Sequence, residues 1–331
     1  MHLLLIVYRR QLMTEQPNKQ SKVASATIRY IKLGPGGAWE AASLDGGRID
    51  WGDSEDPHAC ALAQDWAGAK QAYLNLNLLP ATATSHLREL TDFYTLGRDC
   101  LWITFARGHL WWCFAEPDVL RTGVANAYEG ASYRNVIWGW RNTDVEGRPL
   151  TMEGLSSKLT QLAGYRRTIC NVAASDYLLR RINAEEEPVV TAARAARQAL
   201  VDASEALIRQ LHWADFETFV DLIFSRAGWR RVSRLGGSLK DIDLILEQPL
   251  TGERASVQVK SAADQSVLNA CVAAFEANAS ASRFFFVCHS PRSALSPSTS
   301  GDRPVDVWTI ERLASAAVDQ GLTDWLIERA D

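Results

Sequence analysis

No pair of cysteines separated by two residues occurs in this chain of 331 residues. The six cysteines, at 60, 100, 113, 170, 271 and 288, share no metal-ligand spacing with the six histidines. A zinc site is therefore not expected, and neither is a disulfide framework in a chain of this length. Reduced thiols fit a cytoplasmic protein. An excess of positive charge is also missing: 35 Lys and Arg stand against 39 Asp and Glu, a formal net charge of -4. Contact with nucleic acid would have to come from local patches. Long apolar runs are absent too. Leu3–Val7 is too short to span a membrane, and Arg9 and Arg10 follow it where a signal peptide would carry them ahead. No membrane partner is expected, and no internal repeat is visible. The polar stretch from Met13 resembles the true start of many cytosolic proteins, with 1–12 an upstream misread, so residues 1–22 are set aside.

What is present is ordinary globular composition, 47% apolar and 22% charged, enough for two domains. Eight of the twelve tryptophans fall in the first 140 residues. Strand-like segments dominate there, at Thr27–Leu33, Leu101–Phe105, Leu110–Phe114 and Val136–Trp140. Leu101–Phe114 reads as a hairpin. Helices are expected at Cys60–Leu74 and His86–Phe93, and the Leu155, Leu159, Leu162 spacing suits another. The expectation for 23–183 is a compact α+β or barrel-like domain. Residues 184–211 hold a Glu-Pro break and an Ala-rich helix, Val189–Gln210, that leads onward.

From residue 212 to 331 the pattern changes. Asp215–Ala227 is amphipathic, and Gly228 stops it. Strands are expected at Trp229–Arg234, Ile242–Glu247, Ala255–Lys260, Arg283–Cys288 and Val305–Thr309. Helices are expected at Asp264–Ala277 and Ile310–Ala330. This order fits a mixed α/β sheet.

Side chains alternate faces along a strand. Gln258 and Lys260 therefore share one face of their strand, and Asp241 and Asp243 share one face of theirs. If the two strands pair across the 249–253 turn, two carboxylates, an amide and an ammonium gather together. Such a cluster suits phosphodiester hydrolysis. Carboxylate and amide oxygens can hold Mg²⁺, or Mn²⁺, and the ion activates a water and polarises the phosphate. Lys260 would stabilise developing charge. Glu217, on the amphipathic helix, is the third carboxylate. Arg230, Arg231, Arg234 and Lys240 flank the cluster in a run with no acidic residue and are candidate phosphate contacts.

The segments DFETFVDLIFSRAGW, GGSLKDIDLIL and ASVQVKSA resemble the Mrr-type branch of the PD-(D/E)xK restriction-endonuclease superfamily over about residues 205–331. The resemblance implies a metal-dependent DNA endonuclease with Glu217, Asp243, Gln258 and Lys260 as its site. Asp243, Gln258 and Glu217 would hold the metal, and Lys260 would be the catalytic ammonium. Glutamine at the acid position departs from the superfamily at large and looks like the Mrr branch. Leu239 and Asp241 stand where Mrr-type sequences often carry an aspartate and a glycine. It stays open whether Asp241 assists the metal or only holds Lys240 or a loop. The family also implies a homodimer that cuts both strands of double-stranded DNA.

The segments YIKLGPGGAWEAASLDGGRIDWG and TDFYTLGRDCLWITFARGHLWWCF resemble, loosely, PUA-like and EVE-like domains fused to restriction nucleases. That family includes readers of modified bases. Trp102 and Trp111 should point away from the hairpin's core face, and Trp51 follows a strand. All three are candidates to line a base pocket. The expectation is an N-terminal PUA/EVE-like barrel domain followed by a restriction-endonuclease-like mixed α/β sheet, a modification-dependent restriction enzyme. Two alternatives stand beside it: an inactive nucleic-acid-binding protein with a decayed nuclease fold, and a structure-specific repair or recombination nuclease.

Overall fold

A computed structural model describes residues 22–122, 125–126, 128–232, 243–297 and 301–330. The chain divides into two compact units, Met1–Glu187 and Pro188–Asp331. Among the described residues no helix is long and apolar enough to cross a membrane.

The first unit is built on strands β1 (Ile28–Ile31), β2 (Arg48–Trp51), β3 (Leu101–Ala106), β4 (His109–Arg121), β5 (Ser132–Arg141) and β6 (Ile169–Asn171). Its helices are α1 (His58–Leu62), α2 (Trp66–Asn75), α3 (Pro80–Thr95), α4 (Ser157–Thr160) and α5 (Ser175–Ile182). The expected hairpin forms: Leu101 faces Phe114 and Ala106 faces His109. Its two-residue turn, Arg107-Gly108, has φ of 51° and 76°. These left-handed values match the twist of the flanking strands.

The barrel expectation is corrected. The strands lie in one six-stranded sheet ordered β2-β5-β4-β3-β1-β6, which is open among the described residues. Both of its faces are covered. Leu101, Ile103, Leu110 and Trp112 pack on one side with Leu159 and Leu178 of α4 and α5. Trp102 and Cys113 pack on the other with Trp51 and with Leu90 and Phe93 of α3. A sheet buried on both faces has no solvent side, so alternation along the hairpin does not separate core from surface. The helix expected over Cys60–Leu74 is two helices. The chain turns at Gln64, whose φ is 56°, and Asp65 caps α2 by accepting from the Gly68 N–H at 2.8 Å.

The second unit comprises α6 (Pro188–Gln210), α7 (Trp213–Arg226), β7 (Arg230–Arg231), β8 (Leu244–Glu247), β9 (Arg254–Lys260), α8 (Gln265–Ala277), β10 (Arg283–Cys288), β11 (Val305–Trp308), α9 (Ile310–Asp319) and α10 (Thr323–Ala330). The sheet order is β11-β10-β9-β8-β7. β9, β10 and β11 run parallel, while β7 and β8 are antiparallel to their neighbours. The expected mixed sheet is thus observed. Val257 and Val259 face α6, α7, α9 and α10 in the larger core. Phe284 and Phe286 face Leu268, Val272 and Phe275 of α8 in the smaller one. The expected terminal helix breaks at Gly321, with φ 63°. There the Leu322 N–H reaches back to the Ala317 carbonyl at 2.8 Å.

Candidate active site

The helix α7 is anchored by Phe216, Phe219, Val220, Ile223 and Phe224, all buried. Burying each phenylalanine contributes about 2 kcal/mol. A left-handed Gly228, φ 88°, ends the helix. The Trp229 N–H donates to the Phe224 carbonyl at 2.9 Å and the Gly228 N–H to Ser225 at 3.0 Å, which closes its last carbonyls. Glu217 therefore has a fixed place in the first turns of a rigid helix.

Asp243 immediately precedes β8 and ties itself to β9 through its own N–H, which donates to the Val257 carbonyl at 3.1 Å. The register sets Leu244 opposite Val257 and Ile245 opposite Ser256. One step further, Asp243 and Gln258 fall on the same face. Their side chains meet: Gln258 Nε2 donates to Asp243 Oδ2 at 2.5 Å. The Val259 backbone N–H donates to that same oxygen at 2.6 Å. Only the amide nitrogen can serve a carboxylate oxygen as donor, so the orientation of the amide follows from chemistry. Among the described residues, Gln258 Oε1 is then left buried with no hydrogen-bond partner. An orphaned buried acceptor is costly and calls for a ligand.

Lys260 lies two residues further on β9, on the face of Gln258, half-buried at the strand's end. Burial raises the Glu217 carboxyl above the usual carboxylate range. The Asp243 charge raises it further, and Lys260 and Arg231 pull it down. Glu217 thus feels the charges of Asp243, Lys260 and Arg231. Two carboxylates, an amide oxygen without a partner among the described residues and an ammonium are chemically a donor set suited to a hard divalent cation and a phosphate.

The flanking basic residues are less uniform. Arg230 donates to Glu247 Oε1 at 2.9 Å. Arg231 lies 3.5 Å from Asp221. Arg226 donates to the carbonyls of Gln320 and Gly321, tying α7 to the end of α9. Arg234, Leu239, Lys240 and Asp241 lie outside the described residues. His289 is 6% exposed and packs edge-on against Phe216 at 4.6 Å.

Residues 208–317 match the Mrr_cat family model, described as a restriction endonuclease. The second unit carries a restriction endonuclease domain. The matched range includes Glu217, Asp243, Gln258 and Lys260, so the whole cluster falls inside this nuclease domain. No curated protein matches the chain. Among solved structures, the DNA modification-dependent restriction endonuclease AspBHI is similar over 69% of this chain and 68% of its own, at 13% identity and a TM-score of 0.30.

The tryptophans expected to line a base pocket are distributed differently. Trp102 is fully buried, with the Arg134 guanidinium 5.6 Å from its ring centre. It is a core residue, and its expected outward orientation is corrected, because α3 covers that face. Trp111 is partly buried and its Nε1 donates to the Ala106 carbonyl at 3.0 Å. Trp51 is 3% exposed and stacks on Phe93 at 5.1 Å, yet it reaches a cleft in the first unit. Residue-type reading missed the Val259 N–H, because a backbone donor has no sequence signature. It also missed Glu89 in that cleft. Its signal was available: Glu89 precedes Phe93 by four residues and so borders the apolar stripe of α3.

Proposed function

We propose that this protein is a divalent-metal-dependent DNA endonuclease, a cytoplasmic restriction enzyme that acts on modified double-stranded DNA as a homodimer. The observation that carries the reading is the Gln258 amide held on Asp243, with its own oxygen left buried and without a partner among the described residues. The residues fit a Mg²⁺ or Mn²⁺ ion, since Asp243, Gln258 Oε1 and Glu217 are hard oxygen donors on adjoining elements. When bound, such an ion polarises the scissile phosphate and acidifies a water.

The chain's own groups have separate tasks. Gln258 Nε2 and the Val259 N–H fix one Asp243 oxygen, which orients the carboxylate before any ligand arrives. Lys260 sets a positive charge where the phosphate's charge develops. Glu217, held on a rigid helix, accepts a hydrogen bond from the attacking water and keeps it in line. Arg230, Arg231, Arg234 and Lys240 would contact the DNA backbone without reading sequence. Six free cysteines accord with a reducing compartment.

The test is a cleavage panel: one plasmid prepared with different base modifications or with none, incubated with the full chain and Mg²⁺ or Mn²⁺. The reading expects metal-dependent cleavage that favours some modified forms. Equal cutting of every form would remove the modification dependence. Cutting of none would leave a DNA-binding protein with an inactive nuclease fold, and preference for branched DNA would favour a structure-specific nuclease.

A further inference from the structure

In the second unit β9, β10 and β11 run parallel, so their carboxyl ends lie at one edge of the sheet. Open α/β sheets take their ligands at that edge. Lys260 ends β9 and pairs in register with Cys288 at the end of β10. His289 and Ser290 follow at once, and the Ser290 N–H donates to the Ser261 carbonyl at 3.0 Å. Thr309 follows β11 and leads into α9. At the ends of β10 and β11 opens a cleft of about 610 Å³, whose lining includes Arg209, His289, Ser290, Thr309 and Glu311.

His289 is 6% exposed, yet its Nε2 is buried with no hydrogen-bond partner among the described residues. Its Nδ1 is taken up by the Ser290 hydroxyl at 2.8 Å. A buried ring nitrogen left in this way is costly unless a ligand meets it. Arg209, near the end of α6, reaches Glu205 at 3.1 Å in an exposed pair one turn back. Such surface pairs are weak and easily given up. The Arg209 charge is felt by both His289 and Glu311. Glu311 is folded onto the start of α9, where it accepts from Thr309 Oγ1 at 2.6 Å and from its own backbone N–H. The cleft therefore sets one cation against one carboxylate beside an imidazole that burial keeps neutral. A singly charged phosphodiester suits that balance, whereas Glu311 repels a doubly charged free phosphate. Phosphates recur about every 3.4 Å of helix axis along one DNA strand. A strand with one phosphate at Lys260 thus brings others to the neighbouring strand ends.

We propose that Arg209 and His289 hold a phosphodiester of the DNA backbone near the one that is cut. The Ser290 hydroxyl donates to His289 Nδ1, His289 Nε2–H donates to a phosphate oxygen, and the Arg209 guanidinium meets the charge. Both residues position the strand without reading its bases. The proposal rests on the reading of the second unit as a nuclease and adds to it a contact that does not depend on the metal ion.

The experiment uses the full chain, Mg²⁺ and supercoiled plasmid in the form that is cut best. Initial rates over a range of plasmid and NaCl concentrations give kcat, KM and the salt dependence of KM. Arg209→Gln should raise KM about tenfold with kcat near that of the parent, the signature of lost binding. Its plot of log KM against log[NaCl] should be shallower by about 0.9, the loss of one phosphate contact. His289→Leu should raise KM by a similar factor with the parent's slope, because a neutral donor releases no counterion. His289→Gln, which keeps an N–H donor, should stay within about threefold of the parent. Arg209 is exposed, so its variant keeps the test open should His289→Leu fail to fold. Sodium phosphate in place of NaCl at equal ionic strength should leave the parent's KM unchanged. A KM that rises about tenfold in phosphate marks a free-anion site and overturns the proposal. Unchanged KM and slope in Arg209→Gln overturn it too, as does an equal loss in His289→Gln and His289→Leu. In each of these cases the parent still cuts, and the nuclease reading stands. A parent that cuts no DNA overturns that reading and this proposal with it.

Discussion

Gln258 donates to Asp243 Oδ2 at 2.5 Å and, in doing so, turns its own oxygen into a buried site with no partner among the described residues. A glutamate at 258 would lack that donor and would set a second negative charge against Asp243. Glutamine therefore suits the metal-free protein, where it replaces a repulsion with a hydrogen bond. Gln258→Glu should unfold at lower temperature than the parent without divalent ions and gain more from added Mg²⁺, because a ligand specific to the folded state stabilises it. Gln258→Leu should lose most of the Mg²⁺-dependent shift. Thermal unfolding with and without Mg²⁺ decides the matter, and equal shifts in all three proteins would count against a metal site here.

Lys260 is the cation on the catalytic face of β9. Lys260→Ala should reduce plasmid cleavage by on the order of 10²- to 10³-fold while leaving the unfolding midpoint close to that of the parent, since the side chain is only half-buried. Initial cleavage rates read the first effect and urea melts the second. Retained activity would remove Lys260 from the mechanism.

His289 gives the nuclease domain a pH signature. Burial lowers its pKa below the ordinary 6.5, and the Arg209 charge adds to this. The folded protein then binds fewer protons at this site than the unfolded chain does. Stability from this group is present in full above the unfolded value and is lost as pH falls through the window beneath it. His289→Gln should flatten the fall in urea midpoint between about pH 7.5 and about pH 5. Parallel curves for variant and parent would show that His289 does not titrate in this way.

Trp102 separates a packing role from a binding role. It is fully buried beside Phe93 and under the Arg134 guanidinium. Trp102→Ala should cost about 3–5 kcal/mol of stability, read by chemical denaturation. Trp102→Phe should cost less and leave DNA affinity unchanged. A loss of affinity in a well-folded Trp102→Phe would return this residue to the binding surface.

Much of the nuclease domain was legible in the residues themselves. The alternation Val257, Gln258, Val259, Lys260 assigns faces without a structure, and the strand pairing then follows from the 249–253 turn. Arg283–Cys288 needed only the unbroken apolar run Phe284–Cys288. The first unit was harder to read for a physical reason. With helices on both faces of its sheet, Leu101 and Trp102 are equally buried, and alternation carries no information about which points outward. The Val259 N–H escaped because every residue but proline has one.

If Asp243, clamped by Gln258 and Val259, anchors a working nuclease centre, supercoiled plasmid in modified and unmodified forms should give nicked or linear product only with the unaltered chain and Mg²⁺. The Asp243→Asn variant, and the unaltered chain in chelator, should give none. Cleavage that persists at the same rate in Asp243→Asn, or in chelator, would contradict it.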